Sequence, residues 1–212
     1  MKTNKRRLSI NSNGKIEGFD GPNSREKLTS KTRTKRKPKA IYITRNIERA
    51  RKRAVNRVLR SMAEFLNQLY KKPTRKYFGL NKVFKDNVQS AVTGEHPRFQ
   101  VDYTKIIFSH GDLPLPPNLS VSSPYDGELV IRWTDDSGIG KARADDHLYA
   151  VVISHVTKDW ITEVFQVPRK VCGCCMNVEM LRCEPVHVYL GFLSEDRCER
   201  SNSYYAGIVN IL

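Results

Sequence analysis

Large apolar residues are scarce over the first 39 positions and then arrive in two different rhythms. Residues 1–39 are rich in Lys, Arg, Ser, Thr, Asn and Gly, and the run KTRTKRKPK over 31–39 has nothing to bury. Such a stretch stays disordered, or orders only against a partner that neutralises it. Ile41, Tyr42 and Ile43 read as a short strand. From Ile47 the rhythm is helical. Ile47, Ala50, Ala54, Val55, Val58, Leu59, Met62, Phe65, Leu66 and Leu69 follow the i, i+3, i+4, i+7 spacing of one buried stripe. Thr44 or Asn46 is the expected cap, and Pro73 ends the helix because proline cannot continue it. A second helix is expected over about 80–92, with Leu80, Val83, Phe84, Val88 and Ala91 on its apolar face. Gly94 closes it as the residue best suited to a left-handed cap.

Past Pro97 the period drops to two. Phe99, Val101 and Tyr103 alternate with Arg98, Gln100 and Asp102, and Ile106, Ile107 and Phe108 prolong the extended run. LPLPP over 113–117 reads as a stiff spacer between two packed units. Seven short strands are expected after it, over 119–123, 128–134, 147–154, 161–167, 174–181, 186–193 and 203–211. Strands at this spacing, with Trp133 near the end of the second, fit an immunoglobulin-like or fibronectin-type-III-like sandwich. Alternation buries Leu129, Ile131 and Trp133 on one face and places Val130, Arg132 and Thr134 on the other. The expected fold is thus α+β: a basic N-terminal arm and two helices, then a mostly antiparallel seven-strand immunoglobulin/fibronectin-III-like β-sandwich. Its divisions are a flexible basic arm 1–39, a helical segment with an extended strand 40–112, a proline-rich linker 113–118 and the sandwich 119–212.

Charge sharpens this division. The 212 residues carry a net +15, yet the stretch through Lys85 holds 26 basic and 5 acidic residues and the remainder 11 basic and 17 acidic. The excess of positive charge therefore belongs to the first part alone, and an anionic partner is its natural complement. Arg49, Arg53, Arg57 and Arg60, spaced four, four and three apart, line one ridge of the first helix. With Lys31, Arg33, Lys35, Arg36, Lys37 and Lys39 they form the candidate site for an anionic partner or nucleic acid. Contacts of this kind read phosphate rather than bases. Only Phe19 and Tyr42 supply rings before Phe65, which disfavours a stacking platform for single strands.

Four segments resemble an uncharacterised domain-of-unknown-function family abundant in Bacteroidota. They are NVQSAVTGEHP over 87–97 leading into VDYTK over 101–105, SHGDL over 109–113, VIRWTDDSG over 130–138, and VYLGFLSED over 188–196 with SNSYYAG over 201–207. The resemblance covers about 83–212 and supports the architecture; it carries no activity, cofactor or catalytic residue with it.

The remaining chemistry is thin. Five cysteines cannot all pair within one chain, and reduced thiols in a cytoplasmic protein are expected. Cys172, Cys174 and Cys183 are the metal-ligand candidates, with His187 nearby, but their spacing does not match a zinc knuckle, so no metal and no cofactor are expected. Asp135, Asp136, Asp145 and Asp146 flank SGIG over 137–140 and read as a solvated turn rather than a calcium loop. The five histidines are scattered, and no phosphate loop or nucleophile elbow is present, so no enzyme is expected. No apolar run of about 7–15 residues follows the basic N-terminus and none reaches the roughly 20 of a spanning helix, so neither export nor a membrane partner is expected. The expected function is a non-catalytic adaptor or structural protein of a larger assembly, such as a phage-like particle. Its sandwich would mediate protein contacts while the basic arm engages an anionic partner; the alternative is a dedicated non-specific nucleic-acid binder.

Overall fold

The computed structural model describes residues 9–10, 16–17, 39–70 and 78–212. It divides into two compact units, Met1–Pro38 and Lys39–Leu212. In the first, the described residues are one antiparallel pair, β1 (Ser9–Ile10) and β2 (Ile16–Glu17), inside a segment expected to lack structure. The rest of the expected arm up to Pro38 lies outside the described residues.

The second unit opens with helix α1 (Lys39–Leu59), which absorbs the strand expected at Ile41–Ile43 and starts well before Ile47. Only the residue after Pro38 is needed to begin it, because no breaker follows until the end of the stripe. The single helix expected to run to Leu69 is instead two. Met62 N–H bonds Leu59 O at 3.2 Å and Ala63 N–H bonds Arg60 O at 3.3 Å, so the chain bends through i→i+3 bonds without orphaning its backbone. Helix α2 (Ala63–Leu69) follows this interruption, and Leu59, Met62, Leu66 and Leu69 all stay buried. Helix α3 (Phe78–Ser90) packs on both. It touches α2 so closely that a Cβ on Gly79 would stand 2.1 Å from Leu66 O, which excludes any side chain there.

The extended run expected over 99–108 is mostly irregular. A two-residue ladder joins β3 (Val92–Thr93) to β4 (Gln100–Val101), and Tyr103–Lys105 is a 3-10 turn capped by the Asp102 side chain. Seven further strands follow, each overlapping one of the expected segments, although the fifth segment, expected as strand to 181, holds strand only to Asn177 and then a 3-10 turn at Glu179–Leu181. β5 (Ser120–Ser122), β6 (Glu128–Arg132) and β9 (Gly173–Asn177) form an antiparallel three-stranded sheet in the order β5-β6-β9. β7 (His147–Ser154), β8 (Trp160–Pro168), β10 (Pro185–Leu193) and β11 (Tyr204–Asn210) form an antiparallel four-stranded sheet in the order β11-β10-β7-β8.

Two cores share that larger sheet. Leu148, Ala150 and Val152 of β7, with Val186, Val188, Leu190 and Phe192 of β10, meet Leu129, Ile131 and Met176 inside a β-sandwich. The alternate residues Tyr149, Val151, Ile153, Tyr189 and Leu193 point the other way and are covered by the helices, with Phe65 edge-on to Tyr149 at 6.0 Å. Both faces being buried explains why these strands read as continuous apolar runs. Residues 113–118 are therefore no spacer between separately packed units. Leu113 is buried in the sandwich, and Lys39–Leu212 is one unit.

Candidate functional site

Helix α1 buries Val55 and Leu59, holds Arg51 half-buried and turns its other arginines outward. Arg49, Arg53 and Arg57 are exposed at the i, i+4 spacing that stacks them on one ridge, and Arg60 is exposed where the chain bends. Arg45 extends the row by one turn toward the N-terminus. None of the ion pairs among the described residues involves them. Lys39 begins the helix, whereas Lys31, Arg33, Lys35, Arg36 and Lys37 lie outside the described residues. The structure thus gathers the ridge on one surface; its ordinary chemistry is attraction of phosphate or carboxylate groups.

The cysteine candidates are placed separately. Cys172 ends the 3-10 turn Arg169–Val171 in a left-handed conformation. Cys174 sits in β9 opposite Ile131 and packs on the sandwich interior, and burial pushes its thiol up to about 12, well away from a ligating thiolate. Cys183 is exposed before β10, with its N–H bonded to Ile211 O at 3.2 Å. Among the described residues no three His, Cys, Asp or Glu side chains are grouped to hold a metal ion.

Two constellations escape a reading by spacing. The first corrects the solvated acidic turn: Asp136 and Asp146 are buried around Arg169, itself fully buried. Arg169 Nη1 reaches Asp136 Oδ1 at 2.5 Å, its Nε stands 3.3 Å from Asp146 Oδ2, and its Nη2 donates to Pro114 O at 2.7 Å. The guanidinium lies 4.4 Å from the centre of the Phe192 ring. Burial raises the pKa of Asp146, opposed by the N–H of Arg143 and the charge of Arg169. Fully buried arginines are rare unless paired, and only the fold supplies the pairs.

The second gathers two of the scattered histidines. His155 Nδ1 and His187 Nε2 share a hydrogen bond of 2.9 Å, and His187 Nδ1 meets Tyr205 Oη at 2.8 Å. Tyr103 stacks on His187 at 5.2 Å, and Lys158 Nζ stands 4.6 Å from the Tyr103 ring centre. Burial, then His155 and Lys158, pull His187 down to about 4 from its ordinary 6.5. Unfolding releases the ring, so between those values the unfolded chain holds a proton that the folded chain does not. This contribution to stability is intact above pH 6.5 and is lost as the pH falls through 4, at no more than about 1.4 kcal/mol per pH unit. Chemical denaturation between pH 7 and pH 4.5 should show a steeper loss for the parent than for His187→Gln; equal slopes would contradict the assignment.

The segments quoted for the family resemblance meet around these elements. Asn87 on α3 gives Nδ2 to Ile107 O at 2.6 Å and takes the Ile107 N–H on Oδ1 at 2.9 Å. Ser109 bonds the Tyr149 hydroxyl and donates to Ser201 O at 2.6 Å. Gly111 N–H bonds Asn202 Oδ1 at 3.1 Å, and a Cβ on Gly111 would sit 2.2 Å from Arg200 O. Leu113 N–H bonds Arg200 O at 3.0 Å. Residues 109–113 and 200–203 are thus stitched together, with roles in holding the fold. A family model described as "Family of unknown function (DUF6266)" matches residues 30–207. The chain belongs to this family. No curated protein matches the chain. Among solved structures, the FN1–FN3 domains of chicken CNTN1 match at 10% identity, covering 49% of this chain and 35% of that one, with a TM-score of 0.38. The fn3 domain of the human collagen alpha-1(XX) chain matches at 18% identity over 49% of this chain and 92% of its own, with a TM-score of 0.35. A family 76 glycoside hydrolase from a bovine Bacteroides thetaiotaomicron strain matches at 12% identity over 46% and 21%, with a TM-score of 0.34. The family match spans α1, α2, α3 and both sheets, so helices and sandwich belong to one family unit.

Proposed function

We propose that this family member is a non-catalytic, cytoplasmic adaptor or assembly protein. Its sandwich, read as fibronectin-III-like from the three-plus-four division of its strands, mediates protein contacts. Its basic arm and the arginines of α1 engage an anionic partner. The observation that carries the reading is the exposed row Arg49, Arg53 and Arg57 with Arg60, absent from the ion pairs among the described residues. The non-catalytic part is supported by the use of the most unusual polar groups, Arg169, Asp136, Asp146 and Ser109, in buried internal bonds.

The same ridge favours a second reading, non-specific binding of nucleic acid, because guanidinium groups pair with phosphates and release counterions. A salt titration of full-length protein on duplex DNA separates the two. If phosphates are contacted, the log–log slope is steep, shuffled duplexes compete equally, and replacing Arg49, Arg53, Arg57 and Arg60 by glutamine flattens the slope by about 3 to 4. Absence of binding at low salt leaves the ridge to an acidic protein surface. A variant binding as tightly as the parent, or one sequence preferred by orders of magnitude, would remove the ridge from either reading.

A further inference from the structure

Helices α1 and α3 leave a groove between them that Arg49, Arg53 and Arg57 do not line and that the arginine ridge meets only through Arg60. One step round α1 from that ridge, Glu48, Lys52, Asn56 and Arg60 recur every fourth residue. Facing them on α3 is the row Leu80, Phe84 and Val88, each half-buried, flanked by Asn81, Lys85 and Gln89. The Glu48 and Lys52 end meets Phe84 and Val88 around a cavity of about 450 Å³. The Asn56 and Arg60 end meets Leu80 and Asn81 around one of about 520 Å³. Residues spaced by four share one face of a helix, so these cavities are successive stretches of one groove between antiparallel helices. From Glu48 to Arg60 it runs about 18 Å, three turns of helix.

The groove has an apolar floor and a basic rim. Lys52, Lys85 and Arg60 are exposed along it. Arg51 is half-buried in its wall, 5.9 Å from the Phe99 ring centre, and its Nε–H is shielded from solvent with no acceptor among the described residues. Against these four cations the described lining residues set two carboxylates, Glu48 and Glu64, one toward each end. A phosphate backbone answers the rim and leaves the floor of Leu80, Phe84 and Val88 unused. A helix with apolar residues on one stripe and carboxylates beside it answers both.

We propose that the α1/α3 groove docks an acidic amphipathic helix of a partner protein, with carboxylates on Arg51, Lys52, Lys85 and Arg60 and apolar residues on Leu80, Phe84 and Val88. This rests on α1 being the helix that meets the anionic partner, and it assigns that partner to protein.

The probe is a labelled designed peptide of about 15 residues, long enough to form an isolated helix. It carries leucines on one stripe and glutamates beside them, and its binding to the full chain is read by fluorescence anisotropy. The comparison ligands are a scrambled peptide of the same composition, polyglutamate of the same length, and a duplex oligonucleotide. The amphipathic peptide should bind with a Kd on the order of 10 μM and at least about tenfold more tightly than either peptide control. Lys85→Glu, at an exposed position, and Val88→Asp should each weaken it about tenfold, a factor set by one lost contact. Circular dichroism of each variant shows whether the helices persist, and Lys85→Glu alone decides where Val88→Asp does not fold. The proposal is overturned by equal binding of polyglutamate or scrambled peptide, by no peptide binding up to about 1 mM, or by unchanged affinity in Lys85→Glu. Duplex binding that is lost on replacing Arg49, Arg53 and Arg57 by glutamine, with no peptide binding, keeps the ridge and removes the groove.

Discussion

Replacing Arg169 by methionine is expected to lower stability by about 3–5 kcal/mol, because it leaves two buried carboxylates without their cation. Asp136 and Asp146 are both buried, and each loses the one ion pair it makes among the described residues. Pro114 O also loses its donor, and Phe192 loses the cation over its ring. For a domain whose whole stability is about 5–15 kcal/mol, the variant sits near the edge of folding at body temperature. Urea denaturation of parent and variant measures the loss. Neutralising the carboxylates as well, in Arg169→Met/Asp136→Asn/Asp146→Asn, should restore more than half of it, since the penalty is the uncompensated charge rather than the missing attraction. An Arg169→Met midpoint equal to the parent's would mean that the triad is not formed.

The two halves of the chain were unequally legible, and the reason is physical. Each of the seven expected strand segments overlaps a strand of the sandwich because apolar runs of strand length and the turn residues between them are local signals. Asp126-Gly127 closes β5 onto β6, and Gly127 sits at φ +66° where other residues are strained. The helical stripe from Ile47 was legible for the same reason, but its ends were not. The bend at residues 60–62 has no proline or glycine to announce it and follows from how Leu59, Met62 and Leu66 are buried. Ile41 and Ile43 favour strands intrinsically, yet they sit in a growing helix, where propagation outweighs a propensity of a few tenths of a kcal/mol per residue.

The proline-rich stretch illustrates a different limit. Composition marks 113–117 as extended, but Leu113 is buried in the sandwich and Pro114 offers its carbonyl to Arg169, contacts made across 55 residues of chain. The acidic turn failed in the same way. Of the four aspartates there, 136 and 146 are buried and 135 and 145 are exposed, and nothing in their spacing separates them. The arginine ridge needed only helical period to be placed, whereas His155 and His187, 32 positions apart, meet because β7 and β10 are neighbours. Features carried by sequence-local geometry were readable, and those created by pairing distant strands were not.

Trp133 ties the sandwich to the Arg169 triad, and its truncation should be about as damaging as loss of the charge. It lies just past β6, 5% exposed, edge-on to Phe192 with ring centres 5.5 Å apart and planes at 79°. Its Nε1–H donates to Arg169 O at 2.6 Å, and its backbone N–H bonds Cys172 O at 3.1 Å. Trp133→Ala removes the ring from the sandwich core and leaves Arg169 O with the Cys172 N–H, at 3.2 Å, as its remaining donor, so a loss of about 3–5 kcal/mol is expected from the cavity alone. Trp133→Phe keeps most of the ring and deletes only the indole donor, and should lose about 1–3 kcal/mol. The order parent, Phe variant, Ala variant in denaturation midpoint is therefore the signature of a buried tryptophan that both packs and donates. If Trp133→Ala kept the parent's midpoint, the ring would be outside the core and the register of β6 against β9 would be wrong. If Trp133→Phe fell as far as Trp133→Ala, the hydrogen bond to Arg169 rather than packing would dominate, and the two largest predictions would reduce to one structural unit.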